Sequence, residues 1–393
     1  MGEAYSYLYS IPYVIYMLFL IGCFYFEKKR LAQGENAEDI RKVVLFSALV
    51  FIGLRGHVMT DYISYYPYFK EMPTFQNGKL TDFSRYGRIE FGFLYYTYFI
   101  KSIFRNYFIW VFINTLIDLF IINQIFKKYT SYYALAFIVF IGFQGLGLEI
   151  NTYRNIKAIV LFMLSLQYIR KKKFVPYLLL NLLGFTFHAS ALIYIPMYFI
   201  LNRKISKMMI WALFVISNCI FLLHIKLSSV IIPPLIDLTG MSVSISKIMT
   251  YLNTSSSYGI SVGYVERILS FTLFTIFSDK MIEKTEMNRI FYNSYLLYFF
   301  FFFFFSDMSV FAERFSGLFV FSYWVLYPNV YKCINKVEIK KVFISYLLFL
   351  SLFKVITGNS VIFSKYDNLL FGIQSFEQRE SVFNQYNKQI FNQ

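Results

Sequence analysis

The sequence predicts an all-α polytopic membrane protein that crosses the bilayer about 12 times, and three observations carry that prediction. Hydrophobic residues fill 58% of the 393 positions and charged residues only 15%, whereas a soluble domain carries about 25% charged residues. Its polar side chains could not cover so much apolar mass. Apolar runs recur along the whole chain, among them Tyr7–Phe26, Tyr107–Phe126, Met208–Lys226 and Ile290–Ser306, each near the ~20 residues that span hydrocarbon. The net charge of +16 sits in short basic clusters between those runs, as the positive-inside rule expects. That placement argues against a nucleic-acid surface, so no nucleic-acid partner is expected. Residues 1–393 read as a single integral membrane domain.

The clusters orient the spans. Lys28–Arg30 with Arg41 and Lys42, Lys127–Lys128, Arg170–Lys173, Arg203–Lys207, Lys280–Arg289 and Lys332–Lys341 are assigned to the cytoplasm. The charges of the first run follow it, which puts the N terminus outside and makes the run a span, not a cleaved leader. Segments 155–170, 174–187, 189–202 and 208–226 then alternate in direction, as do 263–279, 290–306, 313–331 and 341–358. Two longer polar stretches, 55–88 and 227–262, fall on the outer face as periplasmic loops, together with the tail after Gly358. One segment breaks the alternation. If 89–104 and 107–126 both crossed, Lys127 and Lys128 would lie outside. Glu90 and Lys101 make 89–104 a poor span, so it is expected to be re-entrant or interfacial.

The side chains between the clusters are aromatic, with 49 Phe and 35 Tyr. The run Phe299–Phe305 reads as lipid-facing filler. Cys23, Cys219 and Cys333 lie in or beside apolar runs without paired spacing, as small core residues.

With that orientation, ionisable residues gather at the outer mouths of spans. Arg55 closes the second span, Arg154 precedes 155–170, and Arg267 and Arg314 open two later spans beside Glu266 and Glu313. His188 sits at a break between two short spans. Charge near a hydrophobic span costs on the order of 2–3 kcal/mol toward its centre. One reading is an outward cavity for an anion such as phosphate or pyrophosphate, since Arg offers a planar fork of donors and stays charged. The other is that each Arg snorkels to headgroups or pairs with its neighbouring acid.

The stretch Thr60–Phe69 is dense in tyrosine around Asp61. Tyr62, Tyr65 and Tyr66 offer a sugar-binding surface, by stacking and hydrogen bonding, or an interfacial aromatic belt. Glu90 is a partner of Arg85 or Arg88, or a site carboxylate. Gly-rich phosphate loops, zinc-binding pairs, a nucleophile elbow and Asp-x-Asp are all missing from the sequence. A glycosyl donor would therefore have to arrive already in the membrane.

The order Gly53-Leu54-Arg55, Thr60-Asp61-Tyr62 with Tyr65, Glu90-Phe91-Gly92-Phe93, Tyr153-Arg154, Phe187-His188-Ala189-Ser190-Ala191-Leu192 and Arg314-Phe315 resembles the EpsG-type polysaccharide polymerases. That group includes many Wzy O-antigen polymerases. The likeness runs over roughly residues 40–320. It departs at Gly56-His57-Val58-Met59, where the family commonly has a Tyr-x-x-Gly-type run, and at Asn155, where it often has Gln.

The resemblance implies a GT-C-like helical fold in the bacterial inner membrane and a metal-independent glycosyltransferase without cofactor, facing the periplasm. Its substrate would be an undecaprenyl-diphosphate-linked oligosaccharide, with membrane lipid and a chain-length regulator protein as partners. Arg55, Arg154, Arg267 and Arg314 would bind the leaving diphosphate, and His188, Asp61 or Glu90 would act on the acceptor hydroxyl. Three rivals share parts of this chemistry: a flippase or transporter of the same lipid-linked sugar, an O-antigen ligase, and a membrane-bound acyltransferase.

Overall fold

The computed structural model describes residues 3–78, 89–228, 230 and 258–391. Among these the chain is helical, with a few isolated antiparallel bridges as its only extended pairing. Arg85 and Arg88 lie outside the described residues, as do parts of the two expected outer loops.

The chain forms two compact units. The first comprises Met1–Tyr198 with Tyr327–Gln393, the second Phe199–Leu326. In the first unit, α1 (Ile11–Ala32) is entered through a tight turn at Tyr7–Ser10 and has Pro12 in its opening turn, where a missing N–H costs nothing. Tyr13, Met17, Leu20, Phe24 and Glu27 are buried at a spacing of three to four residues, while Ile15, Leu18, Phe19 and Phe26 are exposed. An apolar exposed face suits contact with lipid tails. Glu27 ends the buried stripe and accepts the N–H groups of Tyr133 (2.8 Å) and Ala134 (2.9 Å). These open α6 (Tyr133–Gly142), so the carboxylate caps the positive end of a helix dipole.

α2 (Glu38–Ala48) runs on as a wide π-helical turn, Leu49–Gly53, that delivers Arg55. Then come α3 (Tyr62–Glu71), α4 (Phe91–Ile103) and α5 (Tyr107–Tyr129), the last capped by Asn106. α6 bends by 63° into α7 (Gly145–Asn151), with Gln144 at φ 64° in the break. α8 (Tyr153–Arg170) and α9 (Phe174–Phe187) pack side by side, tied by Asn181 to Ser165 (3.1 Å). Tyr7–Ala32 and Tyr107–Tyr129 are each long and apolar enough to cross a membrane, and the bent α6–α7 pair makes a third if it acts as one span.

α4 has 13 residues, about 20 Å at 1.5 Å per residue, against ~30 Å of hydrocarbon. Its start lies beside Arg154 and its end beside Lys70 and Met72, whose carbonyls accept from Lys101. α5 does connect two separate ends. Tyr107 lies 5.6 Å from the His57 ring, while Lys127 pairs with Glu38 (3.0 Å), which also takes Arg41 (3.3 Å).

The second unit contains α10 (Met197–Ile200) at its border, α11 (Lys207–Leu222), α12 (Val262–Lys284), α13 (Met287–Phe304), α14 (Ser309–Gly317) and the start of α15 (Phe321–Cys333). Here one expectation is corrected. Phe299, Phe302 and Phe303 are buried, and Phe299 packs on Phe271 (4.6 Å) and Phe303 (4.3 Å). Residues at i, i+3 and i+4 share one helix face, so a continuous Phe run necessarily sends a stripe inward. α16 (Val337–Gly358) returns to the first unit, and α17 (Phe376–Phe391) closes the chain.

Candidate active site

Four chain segments meet around Arg154 in the first unit. Asn151, at the end of α7, accepts three hydrogen bonds on one side-chain oxygen: Thr60 N–H (3.0 Å), Thr60 Oγ1 (3.1 Å) and Asp61 N–H (2.8 Å). Those bonds pin the turn carrying Asp61 to the chain just ahead of Arg154. The turn is approached through Met59 at φ 65°, a left-handed conformation that a side chain adopts only when its surroundings enforce it.

Arg154 opens α8. Its Nη1 donates to Glu90 Oε2 at 2.6 Å and its Nε to the Tyr65 hydroxyl at 3.2 Å. Glu90 is used on both oxygens, since Oε1 accepts the Ala189 N–H at 3.1 Å. Gly92 makes this possible. A Cβ there would stand 2.1 Å from Thr186 Oγ1 and 2.8 Å from the Thr186 carbonyl, so only glycine lets α4 come close enough to α9 for Glu90 to reach residue 189. The Arg154 and Glu90 side chains keep 27% and 20% of their surface exposed.

Asp61 differs from Glu90. Among the described residues its carboxylate accepts no hydrogen bond, while its backbone carbonyl takes the N–H groups of Ser64 and Tyr65. Burial pushes its pKa up to about 6, partly offset by the nearby Arg154 cation.

His188 terminates α9 in extended conformation, and its Nδ1 accepts the Ser190 N–H at 3.2 Å, capping the turn Ala189–Tyr194. The same Nδ1 lies 2.7 Å from Ser190 Oγ, which reaches Asn155 Oδ1 at 3.1 Å. A ring nitrogen that accepts from backbone leaves the imidazole proton on Nε2.

The tyrosines of 62–66 are packed. Tyr62 is buried and donates to the Arg379 carbonyl (2.9 Å). Tyr65 lies edge-on to Tyr153 at 4.9 Å, and Tyr66 stacks on Phe376 at 4.5 Å. His57 sits among Tyr62, Tyr66 and Tyr107, and burial lowers its pKa to about 4.

Arg55 is 1% exposed and spends its guanidinium on protein: Nη1 on Ile52 O (2.5 Å) and Thr115 Oγ1 (3.2 Å), Nη2 on Glu149 O (3.1 Å) and Tyr153 OH (2.7 Å). Near it lies a charged group that does not belong to the outer-mouth residues. Lys157, on α8, donates to Asn114 O (3.0 Å) and Asp118 Oδ2 (2.5 Å), and Glu149 is buried nearby with one carboxylate oxygen that has no hydrogen-bond partner among the described residues. The signal was present: Asp118 and Lys157 each interrupt an apolar run, and intramembrane charge is a functional flag by default.

Arg267 and Arg314 belong to the second unit. Arg267 donates to Gly263 O (2.9 Å) and lies over the Phe302 ring at 3.7 Å. Glu266 accepts from Ser270 (2.8 Å), and Glu313 accepts from the Tyr258 hydroxyl. Arg314 is exposed on α14.

A helical membrane protein with a partly open arginine–carboxylate cluster is the class defined by this geometry. The EpsG family model matches residues 40–368, and the chain belongs to the EpsG family. That membership suggests a membrane protein of polysaccharide-polymerase type, and the family is associated with glycosyltransferase-like polymerase activity. No curated protein and no solved structure matches the chain.

Proposed function

We propose that the protein polymerises lipid-linked oligosaccharide repeats of an O-antigen or related surface polysaccharide. It would transfer the growing glycan from undecaprenyl diphosphate to an incoming repeat at the periplasmic face of the inner membrane. The observation that supports this reading most is a fixed, partly exposed Arg154 whose charge acts on the Asp61 carboxylate, which itself accepts no hydrogen bond among the described residues.

In this mechanism a hydroxyl at the nonreducing end of the incoming repeat attacks the anomeric carbon of the growing glycan. The bond from that carbon to the diphosphate oxygen breaks, and the electron pair leaves with the diphosphate. Arg154 lies where it can stabilise that charge as it develops. Asp61 takes the hydroxyl proton, and a base with pKa near 6 suits the task better than an ordinary carboxylate. Glu90 is committed to Arg154 and Ala189, and His188 to its cap, so both act as positioning residues. Arg55 braces the floor. The reading keeps the outer-face topology with about 12 crossings and α4 lying in the interface.

The test is the length of surface glycan in a deletion strain carrying Arg154→Ala. Single repeats joined to their acceptor support a polymerase. Repeats trapped on the cytoplasmic side would identify a flippase, and periplasmic repeats that are never joined to the acceptor would identify a ligase; either outcome overturns the proposal.

A further inference from the structure

The second unit folds two sequence-distant basic segments around one cavity of about 360 Å³. Arg203, Lys204 and Lys207 come from the segment entering α11, and Arg289 comes from the first turn of α13. The two carboxylates in the lining are Asp279, paired with Lys207, and Glu283. Four cations against two acids leave a surplus of two positive charges.

The cavity has a fixed frame. Asn293 at its floor donates to the carbonyls of Leu201 (2.7 Å) and Arg203 (2.9 Å), and the Arg203 Nε donates to Phe199 O (2.8 Å). Those bonds hold the segment that presents Lys204. The side chains of Lys204 and Arg289 line the space without a hydrogen bond or ion pair among the described residues.

Beside these charges the flanking helices are apolar on their open sides. Met208 is 83% exposed, and Met209, Trp211 and Ile276 are also exposed. A free phosphate gains nothing from such flanks, whereas a phospholipid places its acyl chains there and its phosphate among the cations. A tryptophan at this level is usual for the boundary between headgroups and tails.

We propose that this cavity binds the phosphate of an anionic phospholipid, its acyl chains lying along α11 and α12. By the charge topology above, the lipid belongs to the cytoplasmic leaflet. None of its lining residues takes part in the Arg154 cluster, and its lipid is a structural ligand, not the glycan carrier.

Quenching of Trp fluorescence tests it on the full chain in nanodiscs, because Trp211 flanks the site and Trp110 and Trp324 are buried. Dibrominated phosphatidylglycerol should quench at lower mole fraction than dibrominated phosphatidylcholine. Lys204→Gln with Arg289→Gln should weaken that preference about fivefold for each charge removed, while Lys171→Gln with Lys172→Gln leaves it unchanged. Equal quenching by both lipids in the unmodified chain overturns the proposal. So does an equal loss in the Lys171/Lys172 pair, which would mean general surface attraction. Displacement of the brominated lipid by millimolar inorganic phosphate, measured on the unmodified chain, would assign the cavity to free phosphate and also overturn it.

Discussion

Two charged clusters lie in the first unit, and they use the same residue types to opposite ends. In the upper one, Arg154 and Glu90 keep a fifth to a quarter of their side-chain surface exposed, and Asp61 stands beside them with its carboxylate unbonded among the described residues. In the lower one, Arg55, Asp118, Glu149 and Lys157 are each at most 3% exposed, and the guanidinium and ammonium groups are spent on protein acceptors. Burial converts a charge from something that meets a ligand into something that fixes helices. The sequence pattern around an arginine does not distinguish the two fates. Its hydrogen-bond ledger does.

The largest expected effect falls on the lower cluster. Lys157→Met leaves the Asp118 carboxylate buried without its cation, and breaking such a pair costs about 3–5 kcal/mol. Thermal melting in detergent should drop sharply, and adding Asp118→Leu should restore most of the loss. If the single substitution left the melting temperature unchanged, the cluster would not be a structural brace.

Next comes Arg154→Ala, which should reduce polymerisation on the order of 10²–10³-fold, the usual cost of one lost transition-state donor. Its melting temperature should change little compared with Lys157→Met. A comparable collapse in melting would erase the contrast between the clusters.

Asp61 sharpens the contrast through pH. As a base with pKa about 6, it should make the rate fall about tenfold per pH unit below that value, and Asp61→Asn should remove both this limb and the activity. The stability effect has the opposite sign. The folded pKa is raised from the ordinary 3.8 to about 6, so the stability contributed by the protonated form is present below pH 3.8 and lost as pH rises through 6. Asp61→Asn is therefore expected to match or exceed the unmodified melting temperature at pH 7. A rate flat from pH 5 to 7 would exclude Asp61 as the base.

The smallest effect is expected at His188. If the ring serves as a cap, His188→Asn preserves an acceptor for the Ser190 N–H, and activity should stay within about threefold. His188→Ala should cost about 1 kcal/mol of stability, typical of a lost cap. Loss of activity in the Asn variant with folding intact would return His188 to the reacting atoms.

Much of this was legible before any coordinates. Composition and run length gave a helical membrane protein. Arg154, Glu90, Asp61 and Tyr65 were all singled out from the sequence, yet their mutual contacts were not, because hydrogen bonds between residues 64 to 89 positions apart leave no periodic trace. The sequence reading grouped Arg55 with Arg154, since both sit at span ends; only the four protein acceptors around Arg55 separate them. The Phe299–Phe305 run was misread because a homopolymer hides which face is inward. Asn151, which joins two segments through one oxygen, belongs to no motif that would mark it for that role.

The central claim is that the Arg154–Asp61 pair makes glycosidic bonds. Its most direct test is purified protein in liposomes supplied with a polyprenyl-diphosphate-linked repeat. We expect a ladder of lengthening glycans with one polyprenyl diphosphate released per bond, and neither product from Asp61→Asn. A full ladder from Asp61→Asn, or repeats carried across the bilayer with no diphosphate released by the unmodified protein, would contradict it.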